Sequence, residues 1–156
     1  MQLLLIRHGE AEPLRRDDAS RELTVRGREQ ARQSTAWVLN HGVVPDGLFA
    51  SPYRRAQQTA AELSEVLDLP VTTEERLTPD REPDDVLAWL DSLDLPEDAV
   101  LALVCHMPLV ARLHRLLCDG LKDGGGRAFH LAEVAVIEAP LMAAGLGKQQ
   151  GGFAPH

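Results

Sequence analysis

Cysteine is scarce in this chain: Cys105 and Cys118 are the only two in 156 residues, and they form no C-x-x-C pair. That excludes a disulfide framework and fits a reducing, cytoplasmic compartment. Long apolar runs are also missing. The best, Val100–Cys105, falls far short of the roughly 20 residues that span a bilayer, and no basic-then-apolar leader precedes Leu3. The expectation is a soluble protein without a membrane partner. Positive charge is in short supply too, with 16 Lys and Arg against 24 Asp and Glu, a net charge of −8. Such a field repels a phosphate backbone, so no nucleic-acid partner is expected. An anionic substrate would need a local cluster of arginines acting against the overall field.

There is no internal repeat, and only two segments are compositionally biased: the glycine triplet 124–126 and the glycine-rich stretch 145–152. Neither lies between a strand and a helix with a lysine in the expected place, so they read as a flexible loop and part of a loose tail over 141–156. His41, His114, His130 and His156 show no ligand spacing with nearby cysteines or carboxylates, so no metal and no cofactor are expected. The length suits one domain over 1–156 with a substantial core.

Residues 3–10 read Leu-Leu-Leu-Ile-Arg-His-Gly-Glu. Four consecutive apolar side chains suit a strand, over 2–7, buried on both faces, and the carboxyl end of such a strand is where open α/β sheets hold ligands. Arg7 and His8 are therefore candidate site residues. The polar loop 13–20 follows and is positioned to lie over whatever binds at His8. Thr24 then caps a helix whose apolar face carries Ala31, Thr35, Val38 and Leu39, ended by His41 and Gly42. A short strand covers 47–50. Ser51 and Pro52 have the N-cap and first-turn pattern of a helix start, with Ala56, Ala60, Leu63 and Leu67 as its stripe down to Asp68. Further strands are predicted at 71–75, 100–105 and 131–138. Pro83 opens a helix through Leu93, and Pro108 another carrying Val110, Leu113 and Leu117.

Strands alternating with helices predict an α/β fold, a three-layer α/β/α sandwich with a mainly parallel central sheet. That topology brings three strand ends to one edge, carrying Arg7 and His8, residues 51–55, and His106. A lone histidine after a strand is ordinary surface decoration, but two histidines and two arginines converging at one crevice point to a site. The groups suit phosphoryl transfer, where catalysis is mostly positioning and electrostatic stabilisation. Arg7 and Arg55 offer planar, permanently protonated donors, and Ser51 with the helix it caps would add a favourable dipole. His8 is the better-placed nucleophile because Gly9 lets the backbone come close and turn, while His106 is expected as a cationic partner donating to a phosphoryl oxygen.

Arg7-His8-Gly9-Glu10, then Ser51-Pro52-Tyr53-Arg54-Arg55-Ala56-Gln57-Gln58-Thr59, then His106-Met107-Pro108, in that order and spanning most of the chain, resemble the histidine phosphatase superfamily, also called phosphoglycerate mutase-like. Within it, the short length, Arg21-Glu22-Leu23-Thr24 with Gly27, and Leu77-Thr78-Pro79 resemble the SixA-type phosphohistidine phosphatases. The resemblance implies that His8 is the phosphorylated nucleophile and that Arg7, Arg55 and His106 form the phosphate pocket. Arg21 either faces that pocket or makes a structural salt bridge.

Two departures from the family pattern matter. Cys105 stands where a glycine is common, and a buried thiol ending a strand explains it. A cysteine-phosphatase loop is rejected, because six residues rather than five separate Cys105 from Arg112. Second, the glutamate that relatives acting on phosphate monoesters carry after the third strand is missing, with Pro79 nearby instead. Glu10, Asp18, Asp80 and Glu82 are the carboxylates left to replace it, each equally explained as a solvated or helix-terminal charge. A phosphorylated imidazole is an easier leaving group than an alkoxide, so the omission favours phosphohistidine in a histidine-phosphotransfer type protein. The lack of long insertions points the same way, to a shallow and open site. The alternatives are a small-molecule phosphomonoesterase of the same superfamily and a phosphate-binding module without turnover.

Overall fold

The computed structural model describes residues 1–14, 16–122, 124 and 126–156. Arg15 of the expected polar loop, Asp123, and Gly125 of the glycine triplet lie outside the described residues. The elements run β1 Gln2–Arg7, α1 Val25–Asn40, β2 Gly47–Ala50, α2 Arg54–Leu67, β3 Val71–Thr73, α3 Pro83–Ser92, β4 Val100–Cys105, α4 Leu109–Asp119, β5 Val134–Glu138 and β6 Lys148–Phe153. Short 3-10 turns cover Asp18–Ser20 and Glu75–Leu77.

The sheet order is β3-β2-β4-β1-β5-β6. The first four strands in that order are mutually parallel, while β5 runs antiparallel to both β1 and β6. Alternate side chains of the central strands bury in opposite directions, as a doubly covered sheet requires. Leu3, Leu5, Leu101, Leu103 and Cys105 pack under α3 and α4 with Val86, Leu90, Leu109 and Leu113. Leu4, Ile6, Ala102, Val104, Leu48 and Ala50 pack under α1 and α2 with Val38, Ala60 and Leu63. This is the expected three-layer α/β/α sandwich, and each fully buried leucine or isoleucine contributes on the order of 1.5–3 kcal/mol.

Four expectations are corrected. The tail expected over 141–156 instead carries β6, because its backbone pairs with β5 from Glu138↔Lys148 to Val134↔Phe153. The strand expected at 131–138 starts only at Val134. Ala132 takes φ 56° and Glu133 N–H closes a turn on the His130 carbonyl, which keeps the preceding residues out of the ladder. The strand expected at 71–75 ends at Thr73, where the Glu74 carboxylate accepts from Arg76 N–H and opens a 3-10 turn. Helix α2 starts at Arg54 with Tyr53 as its N-cap residue and no side-chain cap, so Ser51 does not cap it.

Registry positions the site. Ile6 pairs with Val104 and Val104 with Ala50, so β1, β4 and β2 end in step. His8 N–H then donates to the Cys105 carbonyl at 3.1 Å, and Ser51 N–H to the Val104 carbonyl at 3.1 Å. The polar residues just past each strand are thereby brought to one edge.

Candidate active site

Beyond the carboxyl edge lies a cavity of about 260 Å³ lined by Arg7, His8, Glu10, Ala11, Arg21, Arg55, Met107 and Leu131. His8 Nδ1 sits 2.7 Å from the carbonyl oxygen of Gly9. A carbonyl only accepts, so Nδ1 carries the proton and Nε2 keeps its lone pair as a hydrogen-bond acceptor. Arg55 Nε approaches that Nε2 at 3.3 Å. Burial, opposed by the Gly9 hydrogen bond and reinforced by the charges of Arg55, Arg7 and Arg21, lowers the His8 pKa to about 4. The imidazole is therefore neutral at pH 7, with its available nitrogen directed into a cluster of guanidinium groups.

Those groups are held from behind. Arg7 donates to the Phe129 carbonyl at 2.7 Å, and its Nε is buried without a partner among the described residues. Burial and then Arg55 lower the Arg7 pKa, while Glu133 raises it, and the guanidinium stays charged. Arg55 is anchored by Asp18 twice, to its carbonyl at 2.6 Å and to its carboxylate at 3.0 Å. The other carboxylate oxygen of Asp18 takes Arg21 at 3.0 Å. Burial pushes Asp18 up, but its hydrogen bonds and charge contacts with Arg21 and Arg55 outweigh this and leave its pKa lowered. Of the expected loop 13–20, Asp18 reaches the arginines of the site, but none of its described residues lines the cavity. Arg21 does both things weighed for it, lining the cavity and making a salt bridge.

His106 lies behind this wall, its ring centroid 5.1 Å from that of His8. It is fully buried, with Nε2 bonded to Ser51 Oγ at 2.8 Å and Nδ1 without a partner among the described residues. The surroundings of His106 oppose the cationic form expected for it. Burial, followed by His8 and Arg55, brings its pKa down to about 2, with Asp18 the only opposing charge among the causes. Ser51 and Gly9 likewise do not line the cavity. A Cβ on Gly9 would collide with the Gly27 carbonyl oxygen, so glycine is required here for close approach of the β1–α1 loop to α1 rather than for a left-handed turn.

The four carboxylates considered as acids separate clearly. Glu10 lines the cavity and accepts from Thr24 Oγ at 3.0 Å. Asp18 is committed to arginines. Glu82 pairs with Arg112 at 2.7 Å, and Asp80 is exposed; neither lines the cavity. Cys105 is buried and its thiol is pushed up to about 12, chiefly by burial, which removes it as a nucleophile at neutral pH. Among the described residues no three His, Cys, Asp or Glu side chains are grouped to hold a metal ion.

Sequence reasoning missed Thr59. Its Oγ accepts from Gly9 N–H at 3.1 Å and donates to the Arg55 carbonyl at 2.8 Å, joining the nucleophile's loop to the helix of the arginine. Its position one turn after Arg55 was the available signal. The Phe129 carbonyl left no signal, because a main-chain acceptor in an irregular segment has no side-chain signature.

Residues 3–79 match the sequence profile of the histidine phosphatase superfamily, branch 1. A phosphohistidine phosphatase, SixA, of Escherichia coli strain K12 is 34% identical over 122 residues, 77% of this chain and 76% of that protein. The chain belongs to the histidine phosphatase superfamily. A SixA homologue of Haemophilus influenzae is 31% identical, over 72% of this chain and 74% of its own length. The solved structure of the protein histidine phosphatase SixA complexed with tungstate superimposes with a TM-score of 0.88 at 29% identity, covering 99% of this chain and 97% of that one. Membership in this superfamily and the phosphoglycerate mutase-like fold agree with the resemblance read from the three motifs.

Proposed function

We propose that this superfamily member is a phosphohistidine phosphatase that works without a metal through a covalent intermediate on His8. The observation that carries the reading is the polarity of His8: Nδ1 is spent on the Gly9 carbonyl, and Nε2 is neutral, unprotonated and directed at Arg55. In the proposed cycle His8 Nε2 attacks phosphorus, a P–N bond forms as the substrate's P–N bond breaks, and the substrate imidazole departs as the neutral ring, keeping the proton already on its other nitrogen. Water then cleaves the phosphoenzyme to inorganic phosphate. Arg7 and Arg55 meet the equatorial oxygens from the cavity wall, with His106 as a further donor from behind them, and charge-assisted hydrogen bonds of the guanidinium kind are worth about 1.5–3 kcal/mol each.

Phosphohistidine on a protein is the proposed substrate, as the SixA relatives are phosphohistidine phosphatases, and a histidine-phosphotransfer type protein is the proposed carrier. Arginine supplies the positive charge that a metal supplies elsewhere. Action in the cytoplasm and a single domain over 1–156 belong to the same proposal; no helix among the described residues is long and apolar enough to cross a membrane. The test is to incubate the protein with a ³²P-labelled phosphohistidine protein and quench rapidly. Label on His8 that is lost in acid and kept in alkali, with turnover unchanged by chelators, is the expected result. Label on Cys105, or full activity of His8→Ala, overturns it.

A further inference from the structure

Ser51 Oγ has two hydrogen-bonding neighbours, and they impose a direction on its proton. Tyr53 N–H donates to it at 3.2 Å, and His106 Nε2 lies 2.8 Å away. Ser51 is fully buried, so its hydroxyl proton is shielded from bulk solvent. If Nε2 carried the imidazole proton, Oγ would face two donors and its own proton would be stranded, at the cost of an unmade buried hydrogen bond. With the hydroxyl donating to Nε2, the polar side-chain atoms of the pair are used except His106 Nδ1, which is buried without a partner among the described residues.

The geometry points to Ser51 as a positioning residue that fixes His106 as the Nδ1–H tautomer, so that the proton is carried by the one ring nitrogen left to meet a phosphoryl oxygen. The serine acts through the histidine and does not touch the substrate. Holding a neutral ring in this form lets His106 donate without first acquiring a charge, which its surroundings oppose. The role in turnover rests on the reading of the site as a phosphoryl-transfer pocket; the tautomer does not.

The full chain labelled with ¹⁵N-histidine separates the two. Long-range ¹H–¹⁵N correlation spectra, with His106 assigned by loss of its signals in His106→Asn, report which nitrogen is protonated. Wild type is expected as Nδ1–H, with Nδ1 responding to added tungstate. Ser51→Ala is expected to shift His106 toward the Nε2–H form and to lower kcat about 10-fold with little change in KM, less than loss of a donor outright. Ser51→Thr, which keeps the hydroxyl, is expected to retain the wild-type tautomer. A wild-type His106 protonated on Nε2 overturns the proposal without any variant. So does a Ser51→Ala protein whose tautomer and kcat are unchanged. A tautomer that shifts as expected in a protein that hydrolyses no phosphohistidine supports the control by Ser51 and overturns the functional reading instead.

Discussion

At the scale of single residues the site depends on how two adjacent arginines are treated. Arg55 is buried and reaches His8 and Asp18, whereas Arg54 is half exposed and pairs loosely with Glu22 at 3.7 Å. Arg7→Ala, Arg55→Ala and His106→Ala are each expected to lower kcat by on the order of 10²-fold, as removal of a transition-state donor does elsewhere. Arg54→Ala should stay near wild type; steady-state kinetics showing the reverse order would mean the wrong member of the pair has been assigned. The buried histidines also make a pH prediction. The folded pKa of His8 is about 4 and that of His106 about 2, both below the 6.5 of an unfolded histidine. Below 6.5 the unfolded chain takes up protons that the folded chain refuses, so these groups add stability above 6.5 that is lost as pH falls through 4 and on toward 2. Melting temperature should therefore drop with acidification in that window, and His106→Asn should flatten the slope. Activity should persist below pH 6.5 and fail near pH 4, as Nε2 of His8 becomes protonated.

At the scale of elements, the junction of β1 and α1 presents the nucleophile. A Cβ on Gly9 would meet the Gly27 carbonyl, and one on Gly27 would meet the Glu10 carbonyl, so two backbones touch where side chains cannot fit. Thr24 secures the same junction, accepting from Gly27 N–H at 2.9 Å as the N-cap of α1 and donating to Glu10. Gly27→Ala is expected to cost about 1–3 kcal/mol through overpacking and to reduce kcat by displacing His8. Thr24→Ala should cost about 1 kcal/mol with a smaller kinetic effect, and denaturant titration beside steady-state kinetics measures both. Much of this was readable in the chain: Gln2–Arg7, Gly47–Ala50 and Val100–Cys105 were legible to the residue, since unbroken apolar runs leave few alternatives. Thr24 as a cap was legible for the same local reason. β6 was not, because Lys-Gln-Gln-Gly-Gly-Phe has no apolar alternation and forms a strand only through the backbone of β5. Ser51 misled for a related reason: its local pattern is that of a cap, but the partner that claims its hydroxyl is His106, far away in sequence.

At the scale of the whole molecule, the sheet order resolves the conflict between a net charge of −8 and an anionic substrate. Parallel β2, β4 and β1 deliver their carboxyl ends side by side, and α2 adds Arg55 from its first turn, so positive charge is concentrated at one edge of an acidic protein. The same edge carries little to protonate a poor leaving group. Asp18 is held as an anion by two arginines, while Asp80 and Glu82 lie away from the cavity, leaving Glu10 as the one carboxylate in its wall among the described residues. Alkyl phosphates should consequently be hydrolysed slowly, whereas phosphoramidates and esters of acidic leaving groups should react appreciably faster, with a steep dependence on leaving-group pKa. Asp80→Asn and Glu82→Gln should leave phosphohistidine hydrolysis nearly unchanged, and Glu10→Gln should lower it only through the loss of its bond to Thr24. A panel of substrates graded by leaving-group pKa decides the matter. If alkyl phosphates turn over as fast as phosphohistidine, and Glu10→Gln abolishes that activity alone, Glu10 is a proton donor and the small-molecule phosphomonoesterase becomes the better account of this site.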